Sequence, residues 1–190
     1  MDSPEAASVP AVERFRDYRV VLARLHLGEQ LRGKVDASDV VHETLLEAHR
    51  KRDQFRGHCD AELAAWLRRL LACTLADALR AHSRVKRDVA RERSLEAALA
   101  ASSARLEAFL AADGPSPSGQ AEHNEQLLRL AEALTRLPPA QRQVVELRHL
   151  QGWSLEAIGR HLDRPPAAVA GLLHRGLRQL RTVLHQGNES

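Results

Sequence analysis

The paired prolines Pro165 and Pro166 constrain this chain more than any other feature. They interrupt the stretch Gln141 to Leu184, QRQVVELRHLQGWSLEAIGRHLDRPPAAVAGLLHRGLRQLRTVL. Each proline disfavours helix in the residue before it, so Asp163-Arg164-Pro165-Pro166 must turn tightly. Upstream, Val144, Val145, Leu147 and Leu150 give a first helix its apolar stripe, and Gly152 ends it. Ser154 then caps a short second helix, with Glu156 in its first turn, where the helix dipole favours an anion. Leu155, Ile158 and Leu162 are spaced to line one face of it. Past the prolines a longer third helix runs from about Ala167, with Val169, Leu172, Leu173, Leu177, Leu180 and Leu184 facing inward. Short helix, tight turn, longer helix is the plan of a helix-turn-helix, whose second helix enters the DNA major groove.

Charge points the same way. From Arg164 to Asn188 there is no Asp or Glu, while Arg164, Arg175, Arg178 and Arg181 are present with His174 and His185. Such a helix suits a polyanion, since each phosphate neutralised releases counterions. A helical hairpin with merely solvated arginines is the plainer alternative.

The remaining sequence predicts an all-α protein. The 190 residues suffice for one domain or two small ones, and no run of alternating β-branched residues is present. The net charge of +3 and pI of about 9.3 are mildly basic, so the distribution of charge says more than its total. The start, MDSPEAASVPAVERF, has neither a basic beginning nor an apolar core and does not read as a signal peptide. No apolar stretch is long enough to cross a bilayer. Two cysteines, Cys59 and Cys73, are too few for a disulfide framework. A soluble cytoplasmic protein with no membrane partner is expected.

After a polar leader, Phe15 to Leu31 reads as an amphipathic helix, with Tyr18, Val21, Leu22, Leu25 and His26 on one face. A second helix starts at Asp36, which can cap it, and Asp39 stands where the reciprocal partner of a capping box belongs. Val40, Val41, Thr44, Leu45 and Ala48 form its buried stripe; Asp39, Glu43 and Glu47 line up on another face; Arg50, Lys51 and Arg52 close it. That polarity stabilises the helix against its dipole. An acidic row on a DNA-binding chain also suits docking to a basic partner. Phe55-Arg56-Gly57-His58-Cys59-Asp60 is a loop, broken by Gly57. A long helix follows from Ala61 to His82, with Leu63, Trp66, Leu67, Leu70, Leu71, Thr74, Leu75, Ala78 and Leu79 on its apolar face. Arg68, Arg69, Arg80 and Arg84 are its polar-face cations, and Lys86, Arg87, Arg91 and Arg93 extend this second basic zone.

DASDVVHETLLEAHRKRDQFRG, followed by AWLRRLLACTLADALR, resembles the core region of the small extracytoplasmic-function (ECF) members of the bacterial sigma-70 family. The pattern is carried by Asp36, Ala37, Asp39, Val40, Val41, Glu43, Thr44, Ala48 and Arg50, then Phe55 and Gly57, then Ala65, Trp66, Leu67, Arg69, Asp77, Leu79 and Arg80. LPPAQRQVVELRHLQGWSLEAIGRHL, with Val169, Leu173, His174 and Arg175, is similar to the family's second DNA-binding domain. The resemblance implies two helical domains, over residues 1–88 and 122–187, joined by a linker over 89–121. It implies no catalysis, no metal and no cofactor. Its partners would be core RNA polymerase and promoter DNA, and it leaves room for an anti-sigma factor.

The resemblance also assigns residues. Asp36, Asp39, Val40, Glu43, Glu47 and Arg50 would meet the polymerase. Arg56, His58, Cys59, Asp60, Arg68, Arg69, Asp77, Arg80 and Arg84 would meet and melt the downstream promoter element. Arg164, Ala168, Ala170, Gly171, His174, Arg175 and Arg178 would hold the upstream element. The departures from the pattern are informative. His42 and His49 stand where Gln and Trp are common, and Ala72 and Cys73 where a basic residue and Asn are frequent. Ala168, Ala170, Gly171 and Leu172 stand where Thr, Lys, Ser and Arg are common. Side chains able to bond base edges are thus absent, and the surviving cations suit phosphates, which position without specifying. Weak upstream readout, or readout through DNA shape, is expected. Gly171 and Gly176 would serve close approach, to DNA or to a packed helix.

Within the linker, Leu95, Leu99, Leu106, Phe109 and Leu110 allow one or two weakly amphipathic helices, and Asp113 to Gly119 reads as a flexible break. Glu122 to Leu137 resumes as a helix on Leu127, Leu130 and Leu134, stopped by Pro138-Pro139. The resemblance takes this linker toward the polymerase active-site and RNA-exit region; a disordered tether fits the composition equally.

Two other classes fit the chain less well. An enzyme would need a site, but His42-Glu43-Thr44-Leu45-Leu46 lacks the second His of a zinc-protease helix, no metal-ligand spacing joins His58, Cys59 and Cys73, and no Gly-rich phosphate loop occurs. An ordinary helix-turn-helix regulator fits the C-terminal half but would need a ligand pocket or receiver pattern in front.

Overall fold

The computed structural model describes residues 9–27, 35–81, 89–113 and 120–186. Among them are nine α-helices and no strand: α1 Val9–Arg14, α2 Arg16–His26, α3 Ala37–Arg50, α4 Asp60–Ala81, α5 Val89–Asp113, α6 Gln120–Arg136, α7 Pro139–Val145, α8 Leu155–Leu162 and α9 Pro166–Gln186. The all-α expectation holds. The chain divides into two compact units, Met1–Ser103 and Ala104–Ser190. Residues 89–113, inside the expected linker, are one helix, and the division falls within it. Arg84, Lys86, Arg87, the end of the first expected helix toward Leu31 and the break at 114–119 lie outside the described residues.

The first unit packs α2, α3 and α4 through their apolar stripes. Val40, Val41, Thr44, Leu45 and Ala48 of α3 are all buried, as the 3.6-residue spacing requires. On α4, Leu63, Leu67, Leu71 and Leu75 are fully enclosed, while Trp66, Thr74, Ala78 and Leu79 are half-buried at the edge of the face. Asp36 caps α3, its Oδ1 accepting from Ser38 N–H at 2.8 Å.

The polar leader expected before Phe15 is instead partly helical, and the chain breaks at Phe15 between α1 and α2. A buried guanidinium explains the break. Arg19 is 0% exposed and donates through Nε to Phe15 O at 3.1 Å and through Nη2 to Val12 O at 2.8 Å. These carbonyls sit where α1 ends, and a cation is favoured at a helix C-terminus. Burial, offset in part by Glu13, lowers the Arg19 pKa to about 10, so it stays charged at neutral pH.

A polar seam fixes the early part of α5 within this unit. Tyr18 Oη donates to Ser103 Oγ at 2.6 Å and accepts from Arg68 Nη1 at 3.2 Å. His26 Nε2 lies 3.1 Å from Ser102 Oγ, and Leu99 is fully buried.

In the second unit, α9 packs against α6, α7 and α8. Val144, Leu147, Ile158 and Val169 form the centre of the core, with Trp153, Leu155, Leu162, Leu172 and Leu173 around it. The first of the three expected C-terminal helices is not α-helical throughout. It begins at Pro139 and opens into a π-turn over Glu146–Leu150. The wide turn lets Gln151 N–H reach Glu146 O at 3.1 Å and Trp153 N–H reach Leu147 O at 3.0 Å, with Gly152 at φ +76° between them. Arg105 satisfies the end of the turn, donating to Leu150 O at 2.9 Å, while Phe109 meets His149 edge-on at 5.0 Å.

Tyr18→Phe removes both the Ser103 and Arg68 bonds without changing the apolar bulk. The expected cost is about 1–2 kcal/mol. Amide exchange should accelerate in residues 99–103 before the rest of the unit, which hydrogen-exchange mass spectrometry would read.

Candidate protein and nucleic-acid interfaces

Three surfaces collect the residues singled out in the sequence. The first is the outward face of α3. Asp36, Asp39 and Glu43 are exposed and Glu47 half-buried, but Val40 is only 3% exposed and belongs to the core, so it is not part of the face. The row is partly neutralised from its own helix end. Arg50 lies 2.9 Å from Glu47 and 3.8 Å from Glu43, and Lys51 lies 2.9 Å from Glu47. Hydrogen bonds from Lys51 and then Arg50 hold the Glu47 carboxyl below the usual range. The uncompensated acid is therefore at the Asp39 end. Leu46, 37% exposed, joins Asp39, His42 and Glu43 on one helical face. Sequence reasoning passes over Leu46; its spacing of three from Glu43 is the signal that could have found it.

The second surface is the loop 55–59 with α4. Phe55 is buried and packs on Trp66 at 5.2 Å, so both aromatics anchor the loop from below. Gly57 is required there: a Cβ would lie 2.4 Å from Phe55 Cζ and 2.8 Å from Glu62 Cβ. Arg56, His58 and Cys59 are exposed, and Asp60 lies 4.0 Å from Arg14. Along α4, Arg69, Cys73 and Asp77 are exposed at four-residue spacing, and Arg80 ion-pairs with Asp77. Arg68 departs from this face; half-buried, it turns to Tyr18.

The third surface is the helix-turn-helix. Ser154 Oγ accepts from Ala157 N–H at 3.1 Å and starts α8 as the sequence predicts. Asp163 ends it in the left-handed region, φ 50° and ψ 51°, and Arg164 N–H returns to Gly159 O at 2.9 Å. Pro166 then begins α9, where its missing N–H costs nothing. Closing this turn demands Gly159, because a Cβ there would stand 2.7 Å from Arg164 O. Sequence reasoning does not single out Gly159; a glycine four residues before an αL position and five before the arginine is its only trace.

On α9, Ala170, His174, Arg175 and Arg178 are exposed, with Ala168 and Gly171 half-buried; Arg164 is exposed in the turn. Gly176 resolves to the packed-helix alternative: its Cβ position is 3.0 Å from Val145 Cγ2. Gly171 does otherwise. The nearest atom to its Cβ position is Arg175 Nη1 at 3.5 Å, so the guanidinium lies back over the gap, as helical side chains lean toward the N-terminus. Arg175 thus covers a position that carries no side chain.

Gly159→Ala should destabilise the second unit by about 1–3 kcal/mol, as overpacking does. Asp163→Gly should be tolerated, since glycine accepts positive φ without strain. Thermal melts of the two variants test this contrast.

The family described as Sigma-70, region 4, matches residues 127–180, which hold this third surface. RNA polymerase sigma factor CarQ of Myxococcus xanthus is 29% identical over 184 residues, covering 91% of this chain and 95% of CarQ. ECF RNA polymerase sigma factor SigG of Mycobacterium tuberculosis is 30% identical over 164 residues, covering 78% of this chain and 42% of SigG, so the chain spans less than half of that relative. A chain in the solved complex of sigma factor RpoE with anti-sigma factor NepR from Bartonella quintana aligns over 93% of this chain and 91% of its own length at 19% identity, with a TM-score of 0.34. With the helix-turn-helix matched by the Sigma-70, region 4, family and the N-terminal half carried along in the relatives, the chain is similar over most of its length to bacterial RNA polymerase sigma factors, the ECF type among them.

Proposed function

We propose that this protein binds core RNA polymerase in the cytoplasm and directs transcription initiation at a limited set of promoters. The observation that carries the reading is the similarity to sigma factors along both halves of the chain, 91% of it in CarQ. A conventional regulator would share only the helix-turn-helix. The N-terminal helices would form one functional domain, α6 to α9 the other, with the stretch from about residue 89 to 121 between them.

The roles follow from the three surfaces. The Asp39 end of α3, with Glu43 and Leu46, docks on the polymerase. The loop 55–59 and the Arg69–Arg80 face of α4 take the downstream element. Opening DNA without ATP requires binding the unpaired strand; a base leaves the stack at a cost of a few kcal/mol and is held in a pocket. The strand then lies along a basic surface. His58, Cys59 and Asp60 border the pocket, and Arg56 and Arg69 face the strand. Arg164, Arg175 and Arg178 hold phosphates of the upstream element. Ala168, Ala170 and Gly171 let the helix approach closely but offer no side chain for base edges.

Run-off transcription with core enzyme and genomic DNA, with the start sites mapped, tests the reading. Defined starts that vanish when this protein is omitted are expected, and none would overturn it. Asp39→Lys with Glu43→Lys should weaken co-purification with core enzyme while helicity is kept, because like charges across an interface are costly. Arg175→Ala with Arg178→Ala should weaken DNA binding about equally for all sequences. The slope of log affinity against log salt should flatten by ~0.9 for each phosphate no longer neutralised. Relaxed preference at a single base pair would instead make one of these arginines a base reader.

A further inference from the structure

The loop of the second surface is organised around a residue outside the sequence motifs. Glu62 is the third residue of α4 and is exposed. Its Oε2 accepts the His58 N–H at 2.6 Å. That bond from His58, with a smaller contribution from the neighbouring Cys59, holds the carboxyl below the usual range. Its Cβ helps close the space above Gly57. We propose that Glu62 is the positioning residue of the base-capturing loop, holding His58 and Cys59 at the rim of the pocket through its carboxylate. This rests on the reading of loop 55–59 as the element that captures a base.

Two physical arguments support it. A carboxylate beside a surface meant for a polyanion repels phosphate unless local donors take up its charge. Here the loop's own His58 N–H does so, and the repulsion is converted into loop geometry. The loop also has little else to order it. Residues 55–58 have no regular secondary structure; Phe55 anchors one end, and Leu63 N–H to Cys59 O at 3.0 Å closes the other. Between those anchors, Glu62 takes the His58 N–H. Without it the loop samples more conformations, and base capture must supply the ordering entropy. The defect should therefore fall on strand capture and not on polymerase binding.

The experiment uses full-length protein assembled with core polymerase. Glu62→Ala, Glu62→Gln and wild type are compared on a duplex promoter, on the same promoter with its downstream element mismatched open, and on promoters with each base at each position of that element. Glu62→Ala should lower duplex initiation by about tenfold, as loss of a charged hydrogen-bond acceptor does. It should lose preference at one position, lose less on the opened template, and bind core enzyme normally. Glu62→Gln keeps one acceptor for His58 N–H and should fall between, with preference at the same position. Wild-type preference in Glu62→Ala overturns the proposal. So does an equal loss on both templates with weakened core binding, which would mark a role in folding alone. Replacing His58-Cys59-Asp60 by Gly-Ser-Gly separates the two levels. If that replacement leaves initiation and preference unchanged, the loop captures no base and the underlying reading fails. If it erases preference while Glu62→Ala does not, only the assignment of Glu62 fails.

Discussion

Aliphatic side chains, leucine above all, fill most of the described interior, and glycines bring the helices close where those side chains meet backbone. The chain has three Phe, two Trp and one Tyr. In the second unit the core centre is Val144, Leu147, Ile158 and Val169. Dense packing of such residues leaves no voids, so where two backbones meet directly one of them must lack a side chain. Gly176 shows the consequence where α9 lies against Val145 and Gln141. Gly159 shows it again where the α8–α9 turn folds back on itself. Both glycines serve the orientation of α9, and with it the exposed arginines that a phosphate backbone would meet.

Acidic groups near the proposed downstream-element surface have local partners. Asp77 is paired with Arg80, Asp60 lies near Arg14, and Glu62 is bonded by the His58 N–H. On α9 no such compensation is needed, because the helix has no acid in its described length. The α3 face is arranged the other way: Arg50 and Lys51 cover Glu47 and approach Glu43, but Asp39 is left to face outward. Charge pairing within a helix thus narrows a row of three acids to one end, beside an exposed leucine that adds apolar contact area.

Helical periodicity made much of the fold legible. The stripes of α3, α4 and α6 are buried where spacing of three and four placed them, and Asp36 and Ser154 cap where their side chains predict. These are local properties: a residue's neighbours at i+3 and i+4 and the free N–H groups of the first turn decide them. The proline turn is local as well. The site residues were legible as residue types, because cations and small side chains at set spacing survive in a one-dimensional reading.

Other features depended on residues distant in sequence. Arg68 sits on α4 in register with the polar cations, yet Tyr18, fifty residues earlier, claims it. Arg19, of a residue type that is usually exposed, is enclosed, stitching a helix break that no periodicity announces. The π-turn at Glu146–Leu150 exists because Gln151 and Trp153 fold back on it and Arg105 meets its last carbonyl. The amino-acid sequence by itself determined the helices, their caps, their turn and the signs of their faces, since those follow from short-range sterics and solvation. Only the tertiary structure decided which charged groups remain available to a partner, because a hydrogen bond or a buried contact across tens of residues has no periodic trace in the chain.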